Sequence, residues 1–271
     1  MELTSPRTAK DILAQHNLKP RYGLGQNFLI DKNVIKKLLA ASHIQPEDTV
    51  LEIGPGIGTL TQQLATQAKQ VIAVEKDPKM VKILKKTLAE FKNVKIIQED
   101  ALKLDHQLIL KNYKLVANLP YYITAPTLRK FLETKNQPES LTVIVQKEVA
   151  QRICAKPPKM SILAVAIQVY ALPKIVSSIK KTSFWPQPKV DSAILHITPL
   201  LHPYPLNFPR FFTVVKAGFK QPRKQIVNNL SKELHLLRKQ AEQWLQKNNI
   251  HPTQRAETLT IQDWINLTNT A

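Results

Sequence analysis

Three glycines alternate in the segment Leu51-Glu52-Ile53-Gly54-Pro55-Gly56-Ile57-Gly58, although the whole chain of 271 residues contains only six. The apolar residues before them are typical of a buried strand, and residues 59–65 have the spacing of a helix that packs on a sheet. Glycine permits a sharp turn between the two and lets a ligand approach the backbone closely. We therefore interpret the segment as a ligand-binding loop rather than a purely structural turn.

Acidic residues near the ends of three predicted strands indicate which ligand the loop holds. A dinucleotide site has the spacing Gly-x-Gly-x-x-Gly, whereas the third glycine comes one position earlier here and Glu52 precedes the loop. Glu75 ends the second strand about 20 residues after Gly54, where an acid usually binds a ribose, and Glu99-Asp100 follows the third. Each acid alone would be interpreted as solvated or as a cap. Together they suit a ligand with a ribose, an adenine amine and a positive charge, which is S-adenosylmethionine.

The charge of the chain favours a polyanionic partner. It carries 39 Lys and Arg against 20 Asp and Glu, a formal net charge of +19. The excess is uneven, because residues 26–144 carry 17 basic and 12 acidic residues, residues 145–190 eight and one, and residues 201–271 ten and four. The alternatives are a merely soluble basic surface and attraction to acidic lipid. No lipidation motif or basic amphipathic helix supports the lipid.

Cysteine usage and missing sequence signals narrow the class of protein. Cys154 is the only cysteine, so no disulfide forms within the chain, and no Cys/His cluster has the spacing of metal ligands. The N-terminal residues lack the apolar core of a signal peptide, and no apolar run approaches membrane-spanning length. We expect a cytoplasmic protein without a structural metal, with Cys154 as a small, at least partly buried side chain.

Strands and helices alternate along the first part of the chain. The pattern predicts strands at about residues 49–53, 70–75, 94–98, 115–117, 141–145, 175–180 and 190–197, and helices at about 59–68, 78–91 and 161–167. This rhythm is typical of an α/β fold with a right-handed βαβ, mainly parallel sheet. The segment His202–Pro209 is the predicted domain boundary, since its three prolines suppress helix and strand. Residues 209–271 are predicted to be helical.

The segment Asn118-Leu119-Pro120-Tyr121 follows the fourth strand and has groups that suit transfer to an amine. Pro120 holds Leu119 extended, which directs the Leu119 carbonyl outward beside the side-chain carbonyl of Asn118. Two such acceptors hold both hydrogens of an exocyclic amine, so that its lone pair points at the sulfonium methyl. Tyr121 offers a face on which a flipped-out base stacks. Orientation then supplies most of the catalysis, without a strong general base. The alternative is a strand-end turn with a core tyrosine.

A second aromatic segment reads Phe184-Trp185-Pro186-Gln187-Pro188-Lys189-Val190-Asp191-Ser192-Ala193. Its prolines hold Phe184 in a rigid loop before the last strand, where the ring would form the other wall of a base sandwich. A hydrophobic plug under the loop is nearly as well supported by composition alone.

These motifs together resemble the rRNA adenine dimethyltransferases, and specifically the KsgA/RsmA family of small-subunit (16S) rRNA enzymes. They follow the family order over most of residues 21–197 and are highly specific as a set. The matching segments are Gly25–Leu29, Glu52–Gly58, Glu99–Ala101, Asn118–Tyr121, Gln146–Val149 and Phe184–Ala193. Weaker similarity continues through Phe219–Lys224 and Asn228–Leu230.

The resemblance implies a class I S-adenosylmethionine-dependent methyltransferase with a Rossmann-like domain at residues 1–200 and a small helical RNA-binding domain at residues 201–271. It implies dimethylation at N6 of two adjacent adenosines near the 3′ end of small-subunit rRNA, within an assembling ribosomal subunit. The expected enzyme takes part in subunit biogenesis, uses no metal, does not bind a membrane and is monomeric.

The resemblance also implies roles for individual residues. The cofactor-binding residues are Asn27, Leu29, Gly54, Glu75, Asp100 and Asn118. Among them Glu75 takes the ribose hydroxyls and Asp100 the adenine amine. The catalytic residues are Asn118, Leu119, Pro120, Tyr121 and Phe184. Asn118 and the Leu119 carbonyl hold the target amine, while Tyr121 and Phe184 stack the target base.

The chain departs from the family pattern at three places. Pro222 replaces the first arginine of a C-terminal Gln-Arg-Arg-Lys motif, which puts one phosphate contact in doubt. Met160-Ser161 stands where the family usually has Tyr-Gly, and Ala164 where it often has Ser. We expect these residues near the RNA-binding face, where they would alter substrate handling and leave the cofactor residues intact.

Three rival functions share part of this pattern. The sister family that methylates large-subunit rRNA and confers macrolide resistance has the glycine loop and an Asn-x-Pro-Tyr motif, but Lys189–Ala193 and Asn228–Leu230 favour the small-subunit enzyme. A DNA adenine methyltransferase would need an added target-recognition domain. A non-catalytic assembly factor is disfavoured by the intact acids and by the intact Asn118 and Tyr121, although a second role as an assembly checkpoint stays open.

Overall fold

The computed structural model describes residues 2–20, 26–104, 112–201 and 206–270. Two parts of the sequence interpretation fall outside these ranges. They are Gly25, the first residue of one matching segment, and His202–Pro205, the first half of the predicted domain boundary.

A seven-stranded sheet dominates the described residues, in the order β4-β3-β2-β5-β6-β9-β7. Its strands are β2 (Thr49–Ile53), β3 (Gln70–Glu75), β4 (Val94–Gln98), β5 (Tyr113–Asn118), β6 (Ser140–Gln146), β7 (Ala171–Ile179) and β9 (Ser192–Pro199). Strands β2 to β6 run parallel to one another, and β9 pairs antiparallel with β6. The predicted α/β fold with a mainly parallel sheet is therefore confirmed. A separate two-stranded ribbon pairs β1 (Phe28–Leu29) antiparallel with β8 (Phe184–Trp185).

Helices flank the sheet and form the C-terminal part of the chain. They are α1 (Pro6–Gln15), α2 (Lys32–Ser42), α3 (Thr59–Ala65), α4 (Pro78–Thr87), α5 (Thr124–Leu132), α6 (Lys147–Ile153), α7 (Ile162–Gln168), α8 (Phe208–Gly218), α9 (Ile226–Glu233), α10 (Arg238–Lys247) and α11 (Ile261–Thr270). Local caps explain several starts, since Asp31 accepts hydrogen bonds from the backbone of Asn33 and Val34, and Asp77 accepts one from Lys79. Helices α3 and α4 end earlier than predicted, because turns follow Ala65 and Thr87.

The core lies on both sides of the sheet, and one cluster bears directly on the glycine loop. Ile12 and Leu13 of α1 belong to a buried apolar cluster with Phe28, Ile57 and residues of α4. The ring of Trp185 packs against the same cluster and stacks on Phe28, with ring centroids 6.2 Å apart. The N-terminal helix therefore fixes the outer side of the loop.

The described residues form two compact units. The first comprises Met1–Ala150 and Pro173–Pro199, and the second comprises Gln151–Leu172 and Leu200–Ala271. The second unit thus includes α7, which packs against α8, and Tyr170, whose ring stacks on Phe208 at 4.7 Å. It begins close to the predicted boundary at residue 201 and adds an earlier segment. Its assignment as an RNA-binding domain stays a prediction. Nowhere in the described ranges is a helix long and apolar enough to cross a membrane.

Candidate active site

A cavity of about 350 Å³ opens at the carboxyl ends of β2, β3, β4 and β5. Its volume lies in the range of pockets that hold small ligands. All six predicted cofactor-binding residues line it, and so do Glu52 and Glu99. The structure therefore brings together the side chains that the sequence distributes over 92 positions, from Asn27 to Asn118.

The glycine loop forms the floor of this cavity with a backbone that only glycine adopts readily. Gly54, Gly56 and Gly58 have φ angles of 67°, 60° and 91°. A Cβ atom on Gly56 would lie 3.1 Å from a ring carbon of Phe28, and one on Gly54 would lie 3.5 Å from Pro120. A side chain at Gly56 would crowd Phe28 and one at Gly54 would contact Pro120, and both of these residues line the cavity. The two glycines therefore leave bare backbone there.

Glu52 is the most buried acid of the cavity. Its side chain is 1% exposed, and its Oε2 atom has no hydrogen-bonding partner among the described residues. Burial raises the pKa of the Glu52 carboxyl to about 8, because the ionised form loses its hydration. The ionised form would leave this buried oxygen without a partner, which is costly unless a ligand compensates it. A cationic group in the cavity would do so by stabilising the ionised form.

Glu75 and Asp100 lie at the neighbouring strand ends and differ in their surroundings. The Glu75 carboxylate accepts a hydrogen bond from the Asp77 backbone at 2.8 Å, and burial raises its pKa. The Asp100 carboxylate accepts from Lys76 Nζ at 2.9 Å and from the Leu102 backbone at 3.0 Å. The Lys76 ammonium lowers the pKa of Asp100. Asp100 therefore caps a turn, which was the alternative interpretation of this acid from the sequence, and it also lines the cavity.

Asn118 has a fixed orientation at the end of β5. Its Nδ2 atom donates to the Asn27 carbonyl at 3.0 Å, which uses the amide nitrogen and leaves the amide oxygen as the acceptor. The following Leu119 has a buried side chain, and its N–H donates to the Ile144 carbonyl at 3.2 Å. The next residue, Pro120, lines the cavity beside the glycine loop. This arrangement holds a side-chain acceptor at the cavity wall by a hydrogen bond to a second cavity residue.

The two predicted base-stacking residues lie in different environments. Tyr121 begins a short 3₁₀ turn, and its hydroxyl lies 2.8 Å from Ser192 Oγ in β9. Burial raises the pKa of this partly exposed tyrosine. Phe184 is 3% exposed and packs in the core cluster with Leu29 and Val34. Phe184 is therefore buried like the hydrophobic plug that composition alone also allowed. Its role in stacking the target base stays a prediction.

Comparison with known proteins assigns the chain to a family. The family model described as "Ribosomal RNA adenine dimethylase" matches residues 15–271. The chain belongs to this family. It is therefore an S-adenosylmethionine-dependent enzyme that dimethylates adenine in ribosomal RNA, and the predicted fold, activity and cofactor are confirmed.

Individual relatives cover nearly the whole chain. A protein of Dehalococcoides mccartyi named "Ribosomal RNA small subunit methyltransferase A" is 43% identical over 263 residues, which cover 94% of this chain and 90% of the relative. The crystal structure of the 23S rRNA methyltransferase ErmE matches with a TM-score of 0.73 and 26% identity, over 90% of this chain and 99% of that one. A dimethyladenosine transferase from Plasmodium falciparum matches with a TM-score of 0.76 and 24% identity, over 88% and 94%, and supports the fold.

The cavity of this dimethylase fits S-adenosylmethionine. The unpartnered Glu52 oxygen suits a positively charged ligand, and the bare backbone of the glycine loop leaves room for close approach. Glu75 and Asp100 add two acceptors for hydroxyl and amine groups at the same edge of the sheet. No group of three or more possible metal ligands occurs among the residues that the structure describes.

Sequence reasoning missed several residues that line the dimethylase cavity, among them Lys76 and Tyr122. Lys76 pairs with Asp100, and Tyr122 is 54% exposed at the cavity wall. Both directly follow a residue that the sequence analysis singled out, Glu75 and Tyr121. Both would have been found by considering the residue that follows each singled-out residue in the sequence.

The departures from the family pattern lie in the second unit. Met160 is 5% exposed, and its N–H donates to the Glu257 carbonyl at 2.9 Å. Ser161 caps α7 by accepting from the Ala164 N–H at 3.1 Å, and Ala164 is fully buried. Pro222 is exposed. Met160, Ser161 and Ala164 therefore have packing or capping roles, and their expected effect on substrate handling stays a prediction.

Proposed function

We propose that this dimethylase modifies N6 of two adjacent adenosines near the 3′ end of small-subunit rRNA, within an assembling ribosomal subunit. The observation that carries the chemistry is the fixed orientation of the Asn118 amide at the wall of the acid-lined cavity. The choice of subunit is supported by the relative named for the small subunit, which is 43% identical over 94% of the chain, against 26% for the 23S enzyme.

The cofactor would be held by residues of the first unit. We assign the ribose hydroxyls to Glu75 and the adenine amine to Asp100. We add Glu52, whose carboxylate would supply the negative charge opposite the sulfonium. Asn27, Leu29, Gly54 and Asn118 complete the set. The Leu29 side chain is 3% exposed, so its contribution would come from the backbone. When bound, S-adenosylmethionine supplies an electrophilic methyl group.

The target amine would be positioned by two oxygen acceptors. The Asn118 Oδ1 atom and the Leu119 carbonyl each take one N–H of the exocyclic amine, with Pro120 fixing the backbone between them and the turn. Asn27 contributes indirectly, because its carbonyl holds the Asn118 amide in the accepting orientation. Such positioning raises the rate without a general base, since the reacting groups already have their mutual orientation.

The flipped-out adenine would stack on Tyr121. The hydrogen bond to Ser192 at 2.8 Å fixes the hydroxyl end of this side chain and leaves a partly exposed ring. Phe184 would form the opposite wall only after part of its ring becomes accessible, because the residue is 3% exposed. The proposal thus gives Tyr121 the larger share of the stacking.

Methyl transfer from labelled S-adenosylmethionine tests the function. The acceptors are unmethylated small subunits and, separately, unmethylated large subunits, with mass spectrometry of the digested RNA. Dimethyladenosine in the small subunit alone is the expected result. Label in the large subunit would move the substrate to that of the ErmE-like enzymes, and cofactor binding without transfer to either would favour an assembly factor. A cytoplasmic location and a monomeric state belong to the same proposal.

A further inference from the structure

A second cavity lies within the helical unit and takes no part in the chemistry described above. It has a volume of about 540 Å³ and is formed by α8, α10, the end of α11 and the turn between α9 and α10. Val214, Leu234 and Leu236 supply its apolar surface, and Trp244 forms one wall. Every residue that lines it belongs to the same compact unit.

Hydrogen bonds hold the wall of this cavity in place. The indole N–H of Trp244 donates to Thr270 Oγ1 at 3.1 Å, and Asn248 Nδ2 donates to the same oxygen at 2.8 Å. Asn248 also bonds the Trp244 carbonyl at 2.8 Å. The polar edge of the indole is thus occupied, while the side chain stays only partly buried. A tryptophan fixed in this way presents an apolar face without losing further conformational freedom on binding.

Polar and cationic groups surround the apolar surface. Arg210 and Lys247 are exposed at the cavity and make no ion pair with any described residue. Gln240 and Gln243 add amide groups that both donate and accept hydrogen bonds. The residues 201–271 carry ten basic and four acidic side chains in total. The surroundings of the cavity therefore favour a ligand with an anionic group beside a flat, partly polar ring.

We propose that this cavity binds a single nucleobase of the rRNA, stacked against Trp244, with the flanking phosphates on Arg210 and Lys247. The inference rests on the proposed function, because it takes the substrate to be ribosomal RNA of the small subunit. An aromatic wall, amide side chains and a cationic rim are the combination by which proteins hold unpaired bases. The site would anchor the substrate and would not take part in methyl transfer.

An apolar side chain of a ribosomal protein is the competing occupant of such a cavity. It would pack on the apolar surface equally well, but it would make no contact that requires the positive charges of Arg210 and Lys247. The two unpaired cations and the positive charge of the unit favour the nucleobase, since each phosphate requires a counter-charge. The experiment separates the two by offering naked RNA and assembled subunits in parallel.

The test measures the affinity of the full chain for unmethylated small-subunit rRNA at several salt concentrations. Trp244→Leu should weaken binding about tenfold at every salt concentration, because stacking is lost and no phosphate contact changes. Lys247→Ala should instead reduce the slope of log affinity against log salt by somewhat less than one. Trp244→Phe keeps an aromatic face and should retain most of the affinity. Leu237→Ala is the matched control, because it removes a 71%-exposed apolar side chain at the start of α10 outside the cavity.

Three outcomes would overturn the nucleobase site. Equal losses in Trp244→Phe and Trp244→Leu would show that the bond to Thr270 matters rather than the ring. A loss on assembled subunits but not on naked rRNA would assign the cavity to a ribosomal protein. Unchanged affinity in Trp244→Leu would remove the site altogether. Failure of the proposed function would be distinguishable, because the unsubstituted enzyme would then fail to methylate small subunits.

Discussion

The cavity at the sheet edge and the cavity among the C-terminal helices are bordered by side chains of opposite charge. In the sheet unit, Glu52, Glu75 and Asp100 surround the glycine loop, whereas in the helical unit Arg210 and Lys247 border Trp244. In a chain with a net charge of +19, a concentration of acids at one site is itself informative. Under the proposals above, the first cavity holds a cationic cofactor and keeps the rRNA phosphates away from it, while the second attracts them.

Loss of Asn118 has the largest expected effect on this division of roles. Asn118→Ala removes the side-chain acceptor and should lower the rate of methyl transfer by about a hundredfold or more, because orientation of the amine is lost. Binding of rRNA should survive, and cofactor affinity should fall far less than the transfer rate. Single-turnover transfer and two separate binding titrations check this, with the exposed Asn33→Ala on α2 as control. Equal losses in transfer and rRNA binding would contradict the role of Asn118 and weaken the separation of the two cavities.

The first cavity was predictable from sequence because its residues follow a regular pattern. Glu52, Glu75, Asp100 and Asn118 each stand at the end of a strand, and parallel strands bring such ends together whatever the details of packing. The ion pair of Lys76 with Asp100 was not predictable, because it depends on the side-chain conformation of an exposed residue. Local motifs also could not decide whether Phe184 is accessible, since its burial depends on the ribbon that β8 forms with β1.

The second cavity was not predictable for a different reason. Its lining comes from α8, α10 and α11, which are separated along the chain and share no motif. No motif in the sequence singles out Trp244, and only the packing of the helices shows that its side chain borders a cavity. Sequence patterns therefore identified the site whose geometry follows from the sheet, but not the site that depends on helix packing.

Glu52 offers the next-largest effect and tests the charge of the first cavity. With a pKa of about 8 it is mainly protonated at neutral pH, and a sulfonium favours the ionised form, so binding of S-adenosylmethionine should release a proton. Affinity should then rise by up to about tenfold per pH unit below that pKa and level off above it. Titration calorimetry at several pH values measures this. Glu52→Gln, which cannot ionise, should lose the dependence, and the product S-adenosylhomocysteine, which lacks the sulfonium charge, should show less of it.

The same carboxyl predicts a pH dependence of stability. Because the folded chain holds this proton more tightly than the unfolded chain, the contribution of Glu52 is complete below its ordinary pKa of 4.5 and is lost as pH rises through about 8. The difference in melting temperature between the ligand-free enzyme and Glu52→Gln should therefore change across this window. If the affinity of Glu52→Gln for S-adenosylmethionine still rises with pH, the released proton comes from another group, and Glu75 is the first alternative.

Tyr121 tests whether the target base is recognised beside the first cavity, which its neighbours Pro120 and Tyr122 line. Tyr121→Ala should reduce transfer about tenfold by removing a stacking face. Tyr121→Phe keeps the ring and loses only the hydrogen bond to Ser192, so a reduction of about threefold is expected. Transfer to small subunits at limiting substrate concentration gives both values, and cofactor affinity serves as the internal control. Equal losses in the two variants would place the importance of Tyr121 in its anchoring rather than in stacking.

Substitution of Lys76 should have the smallest effect on ligand binding. It tests whether this cation at the first cavity competes with the ligand for Asp100. Both Asp100 oxygens are engaged, one by Lys76 at 2.9 Å and one by the Leu102 backbone, so an adenine amine must share an oxygen with the ammonium. Lys76→Met removes this competitor and should tighten binding of S-adenosylhomocysteine about twofold at low salt, with a smaller gain at high salt because exposed ion pairs are screened. Lys79→Met, on the exposed side of α4, should have no effect in the same calorimetric titration. Weaker binding in Lys76→Met would instead show that this lysine contacts the ligand directly. The acid-lined cavity would then use one cation to bind its ligand.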